Sequence, residues 1–260
     1  MIELIKVKSS KKRGDLNKEY IKTLGAPIDG FWENVVIGTS QCYQIIYDKK
    51  LVGHFFVDKD KTLVQFYVSK EYYTNAPEIF IYIIKSNKVK DAAVSTKESE
   101  YLALCLDNQK SVEVDTYLFV DNQKISHELN SFRNTTFRLA NKGDINIIKN
   151  KCDAAYDGYY EDLIENDNLF VLYEGSSLLG IGEFRIIKSN LQYGDIGVVV
   201  AEEYHRRGIG TYIINQLKEH CYNKGLEPLA CCNVRNMASK STLEKAGFIT
   251  NNRVLHVIFK

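Results

Sequence analysis

The sequence has no run of about 18 or more apolar residues, so no membrane span is expected. It has no Cys-x-x-Cys pair. Its six cysteines, Cys42, Cys105, Cys152, Cys221, Cys231 and Cys232, stand in no metal-ligating spacing with its five histidines. They read as reduced, mostly buried thiols, and no metal is expected. The chain has almost no net charge, +1 at pH 7, which gives no footing for a nucleic acid or a membrane surface. Its opening, MIELIKVKSSKKRGDL, puts a short apolar run before the basic cluster, the reverse of a secretory signal, so a cytoplasmic protein is expected.

What remains is ordinary globular material, with 45% hydrophobic and 26% charged residues over 260 positions, enough for one large domain or two modest ones. The chain also repeats itself. VSKEYYTNAPEIFIYII (68–84) aligns without a gap on VAEEYHRRGIGTYIINQ (200–216), which sets Tyr72 on Tyr204. Upstream, IIYDKKLVGHFF (45–56) matches VLYEGSSLLGIGEF (171–184) with one gap, setting Tyr47 on Tyr173 and Gly53 on Gly180. Downstream, each copy runs through a short strand, a helix and a terminal strand. These are DAAVST, ESEYLALCLDN and VEVDTYLFV in the first copy, and EPLACCN, MASKSTLEKAG and RVLHVIFK in the second. Alternating strands and amphipathic helices argue an α/β fold built twice. The polar stretch DNQKISHELNSFRN (121–134) reads as the linker, which puts the domains at 1–130 and 131–260. The second copy restarts at FRLANKGDINIIKNKC, with a turn at Lys142–Gly143 and a helix capped by Asp144.

HRRGIG (205–210) lies between GDIGVVV, apolar and β-branched like a buried central strand, and TYIINQLKEHCYNKG, a helix with one apolar face that ends at Gly225. A loop from strand end to helix start offers free N–H groups where the helix dipole is positive. Gly208 and Gly210 remove Cβ atoms that would hold a ligand off that backbone, and Arg206 and Arg207 add charge. The stretch reads as an anion cradle. It is neither a Walker loop nor the dinucleotide-binding Gly-x-Gly-x-x-Gly.

This loop and NMASKSTLEKAGF (236–248) together resemble two motifs of the GCN5-related N-acetyltransferase (GNAT) superfamily. One is the pyrophosphate loop Gln/Arg-x-x-Gly-x-Gly/Ala, with His205 in the first place; the other is the Asn-x-x-Ser/Ala…Glu-Lys-x-Gly-Phe helix. GLEPLACCNVRNMASKSTLEKAGF is similar to the zwittermicin-resistance-type, FR47-like branch. The resemblance covers about residues 136–260. It implies an α/β (α+β) fold of tandem GNAT-like domains, each a mixed, largely antiparallel sheet flanked by helices with a splayed central strand pair. It implies acetyl-CoA as cofactor, its arm in a gap between strand 194–200 and strand 227–233. The implied contacts are Val198, Val199 and Val200 on the strand, with main-chain bonds at Val198 and Val200. Around the pyrophosphate they are His205, Arg206, Arg207, Gly208, Ile209, Gly210 and Thr211, and beside the pantetheine or the thiol Asn236 and Ser239. The implied reaction is acetyl transfer to a primary amine of a small molecule or peptide, by a monomer or homodimer.

An alkyl amine with a pKa of about 10.4 is protonated at pH 7, so transfer needs a base. Asp195 and Glu183, on adjacent strand-like segments, are the candidate bases. The tyrosine that the family uses as acid falls on Leu243, and Ser239 is the nearest hydroxyl. That gap leaves a non-catalytic acyl-CoA-binding sensor or scaffold as the alternative. In the first copy the six loop positions read Tyr73, Thr74, Asn75, Ala76, Pro77 and Glu78. With no glycine, no arginine and an added glutamate, that copy is expected to bind no coenzyme A and to wall one side of the acceptor pocket. Trp32 is a candidate for the pocket lining or for plain core. Tyr156, Tyr159 and Tyr160 are candidates for the acceptor border or for a surface helix.

Overall fold

A computed structural model describes residues 1–24, 29–122, 132, 134–152 and 156–260, so the boundary expected near Ser131 lies outside the described residues. The elements run β1 (Ile2–Lys6), α1 (Ser10–Ile21), β2 (Gln41–Tyr47), β3 (Lys50–Val57), β4 (Thr62–Val68), α2 (Ala76–Ile84), β5 (Asp91–Ser95), α3 (Ser99–Asn108) and β6 (Gln109–Asp121). They continue β7 (Thr135–Leu139), α4 (Ile145–Lys151), α5 (Tyr159–Glu165), β8 (Leu169–Glu174), β9 (Ser177–Ile186), β10 (Tyr193–Val200), α6 (Ile209–Asn223), β11 (Glu227–Asn233), α7 (Met237–Lys245) and β12 (Phe248–Phe259). No helix among the described residues is long and apolar enough to cross a membrane.

By packing, the chain forms two compact units, Met1–Tyr117 with Asn252–Lys260, and Leu118–Asn251. The units are therefore not contiguous stretches. Most of β12 belongs to the first unit, where Val254 to Ile258 pair antiparallel with Ser95 to Asp91 of β5. The last four residues of β6 belong to the second.

In the first unit β1 to β4 form an antiparallel meander. β4 and β5 then run parallel, paired only at Thr62↔Asp91 and Leu63↔Ala92. Ile79, Phe80 and Ile83 of α2 and Tyr101, Leu104 and Cys105 of α3 pack with Phe55, Phe66 and Val257 in one core. A second core holds Leu16, Ile37, Cys42, Phe56 and Val64, and Trp32 packs against it. Trp32 thus serves as core here. Glu98, at the start of α3, is 8% exposed, and burial pushes its carboxyl up to about 7 against hydrogen bonds from Tyr20 and the Ser95 N–H.

In the second unit β7 to β10 are antiparallel neighbours, and β11 joins β10 in parallel. The α4 start differs from the expected Asp144 cap. Asn141 accepts the Gly143 N–H, and Asp144 reaches back to the Asn141 N–H, because a short 3₁₀ turn precedes the helix and moves the cap three residues upstream. Asp144 also receives a bidentate Arg138 fork at 2.8 Å. At the far end of α6, Gly225 has φ 70° and closes the helix as the sequence suggests: its N–H reaches Tyr222 O, and that of Leu226 reaches Cys221 O.

Lys218 of α6 is wholly buried. It pairs with Asp121 at 2.7 Å, donates to Ala246 O at 2.8 Å and lies over the Phe248 ring. Lys218→Met should therefore cost about 3–5 kcal/mol by denaturant unfolding, since Asp121 is left buried and uncompensated, while adding Asp121→Leu should restore most of it; equal costs in the single and double variants would refute the pairing. Between the ordinary 4.5 and about 7, folded Glu98 keeps a proton that the unfolded chain has released. Its contribution to stability falls as pH rises through that window, by on the order of 3 kcal/mol. The urea midpoint of the native chain should fall relative to Glu98→Gln across those pH values, and a constant difference would contradict it.

Candidate functional site

The site starts where β10 and β11 part. They pair at Tyr193↔Glu227, Gly194↔Pro228 and Asp195↔Leu229, and no further. This is the splayed strand pair expected of the sheet. β10 meanwhile stays in register with β9 to Val200↔Gly180, and the Ala201 N–H reaches Leu179 O at 3.0 Å. Alternate residues of an antiparallel ladder bond to the same neighbour. The main-chain groups at 195, 197 and 199 therefore face β9, and those of Val198 and Val200 face the gap that β11 has left. Val199 turns its main chain to Ile181 instead. The Val200 carbonyl sits 2.9 Å from His205 Nε2, so the ring holds it; Val198 has no such neighbour among the described residues.

Beyond β10 the loop passes through Arg206 at φ 62° and Gly208 at φ 80°. Space is open where a Gly208 Cβ would stand, so what glycine supplies there is a left-handed backbone. Gly210 corrects the sequence reading. It is buried, and a Cβ would lie 3.0 Å from Thr242 Cγ2 and 3.5 Å from Val200 Cγ2. Its bareness lets α6 close on α7 and β10. No side chain caps α6, so the N–H groups of Ile209, Gly210 and Thr211 lack intrahelical partners. Arg206 and Arg207 are exposed beside them, and the Arg207 guanidinium lies 5.4 Å from the Tyr204 ring. Fork, uncapped helix start and paired arginines suit an extended carrier that ends in a diphosphate.

The two candidate bases come together, and both are buried. Glu183, Arg185 and Asp195 are 8%, 8% and 4% exposed. Arg185 Nη2 bonds Glu183 Oε2 at 2.7 Å, and its Nη1 lies 3.6 Å from Asp195 Oδ2. Tyr159 OH donates to Glu183 Oε2 at 2.6 Å and accepts from Arg185. Burial opposes the Arg185 charge, but Glu183, Tyr159 and Asp195 outweigh it and raise its pKa; burial and Glu183 raise that of Tyr159. Asp195 is the last paired residue at the apex. Glu183 stands opposite Gly197, one step into the gap, with Oε2 3.7 Å from where a Gly197 Cβ would be. Tyr160 is core, while exposed Tyr156 stacks edge-on against Tyr159 and donates to Asp162.

Asn236 and Ser239 have local work. Asn236 Oδ1 accepts the Ser239 N–H at 3.0 Å and caps α7, and the Ser239 side chain bonds the Cys232 thiol. Leu243, where an acid tyrosine was sought, is buried at 2%. Arg185 is the member of the network that sequence reasoning missed, and the β9–β10 register sets it opposite Asp195. Tyr159, expected at the acceptor border or on a surface helix, comes to Glu183 and Arg185 from the start of α5.

Two family profiles match, one described as "Acetyltransferase (GNAT) domain" over residues 9–122 and one as "Acetyltransferase (GNAT) family" over residues 135–248. Among solved structures, a GNAT-family acetyltransferase from Colwellia psychrerythraea is 26% identical, with a TM-score of 0.90 over 99% of this chain and 100% of its own. A tandem GNAT protein from the clavulanic acid biosynthesis pathway is 11% identical at TM-score 0.66, over 100% and 98%. A GCN5-related N-acetyltransferase from Sphaerobacter thermophilus is 13% identical at TM-score 0.61, over 98% and 94%. No functionally curated protein matches the chain.

Arg185→Met removes the cation from two buried carboxylates and should cost about 3–5 kcal/mol in urea unfolding. A loss below about 1 kcal/mol, the range of exposed pairs, would mean that water already screens them.

Proposed function

The chain belongs to the GNAT superfamily, with two such domains in tandem, and on that footing we propose that it is an acetyl-CoA-dependent N-acetyltransferase for a primary amine of a small molecule or peptide. The observation that carries this reading is the fork in the second unit, whose open edge at Val198 leads to the uncapped start of α6. Coenzyme A would be held along that edge and by residues 205–211, with Arg206 and Arg207 set against the diphosphate. When bound, it supplies the acetyl group as a thioester open to attack by an amine.

The chain's own residues orient the acceptor and take its proton. Glu183 is the better placed base, since it stands beyond the apex while Asp195 stands at it. Tyr159 and Arg185 both engage Oε2, which fixes the carboxylate; Oε1 makes no hydrogen bond among the described residues. A base held this way gains from positioning as well as from basicity. Asp195 acts through Arg185, as a positioning residue. No metal, nucleic acid or membrane enters the scheme, and the working form is a monomer or homodimer in the cytoplasm.

A second reading, an acyl-CoA-binding sensor or scaffold without turnover, draws on Leu243, whose buried side chain has no proton to give a leaving thiolate. Calorimetric titration with coenzyme A should show one site per chain, weakened more than tenfold by Gly208→Glu, which puts a carboxylate and a strained left-handed residue (roughly 1–2 kcal/mol) in the loop. Full affinity in that variant would remove the cradle from the scheme. With acetyl-CoA and a panel of amines, thiol release should be seen and should fall at least a hundredfold in Glu183→Gln; tight binding with no release on any amine would leave the sensor reading.

A further inference from the structure

The first unit has a fork of its own. Past Leu63↔Ala92, β4 and β5 separate. A cavity of about 200 Å³ is lined by the end of β4 and by residues in and beside α1, α2 and α3. Its walls are largely aromatic, from Tyr20, Phe66, Tyr67, Tyr73 and Tyr101. Glu98 lines it as well. That carboxyl accepts the Tyr20 hydroxyl and, at 2.7 Å, the Ser95 N–H, yet no Lys, Arg or His among the described residues forms an ion pair with it. Lys97, the cation in the lining, lies in the field of Asp29.

Phosphate has no footing here. The start of α2 carries Pro77, which lacks an N–H, and Glu78. Ionising a buried carboxyl with no counter-charge is costly, so a cation beside Glu98 would let it give up its proton, and aromatic faces attract cations. The volume is below the roughly 300–1,000 Å³ of drug-sized ligand sites, which leaves room for one ring and a short arm. We propose that this cavity binds a small aromatic primary amine, its ring held among the tyrosines and Phe66 and its ammonium on Glu98.

Tyramine is the probe and para-ethylphenol its uncharged counterpart, titrated by calorimetry into the full chain at neutral pH. Tyramine should bind saturably, and para-ethylphenol at least tenfold more weakly. Ala103→Trp, at an exposed position of the lining, should fill the opening and cut tyramine affinity at least tenfold. Glu98→Gln should do the same by removing the charge, and the Ala103 variant stands as the test if that chain does not fold. Gly208→Glu, in the other unit, should leave tyramine affinity unchanged. Absence of tyramine binding, equal affinity for the uncharged counterpart, or full affinity in Ala103→Trp would each overturn the proposal; the last would move the amine to another place on the chain.

Discussion

Peptide groups inside a sheet need partners, and two strands that begin as neighbours and then diverge leave theirs without. That constraint governs both units. In the second, the open edge of β10 runs toward an uncapped helix start flanked by two arginines. In the first, the matching gap between β4 and β5 meets a helix whose first turn holds a proline and a glutamate. One backbone arrangement thus faces opposite electrostatics. The side chains around each fork, not the fork itself, decide what can enter.

The doubling of the fold was legible because its strictest steric demand repeats. Gly53 pairs with Val68 and Gly180 with Val200, and the gap-free alignment had already set Val68 on Val200. A Cβ at either glycine would strike the facing strand, 2.1 Å from Tyr67 O in one copy and 2.7 Å from Val199 O in the other. No other residue fits there, so the letter survives while its neighbours drift. The same logic explains the mixed result at the loop. A glycine in a sequence signals a missing Cβ, but not what the missing atom would have met. At Gly208 it is open space and a left-handed turn; at Gly210 it is Thr242.

Less of the chemistry could be read in advance. Glu183 and Asp195 were visible as carboxylates on adjacent strands, but their environment comes from Arg185 and Tyr159, which tertiary packing brings in. Asn236 and Ser239 illustrate a different limit. Their spacing is what an N-cap requires, so a motif tied to a ligand and a helix start look alike on paper. The ownership of the final strands was likewise hidden. The order of elements tells which strand ends each copy, but not which sheet it completes.

That ownership bears on how the protein is made. On the flank away from β4, β5 is paired by Val254 to Ile258, and Val257 is part of the first unit's core. While the ribosome is still translating the second unit, the nascent first unit has to wait with one flank of β5 bare and a hole where Val257 belongs. An exposed strand edge of that kind is a template for pairing with other chains. Polysomes crowd many such unfinished copies together, so translation speed and holdase chaperones, more than the stability of the finished molecule, should set how much of it escapes aggregation.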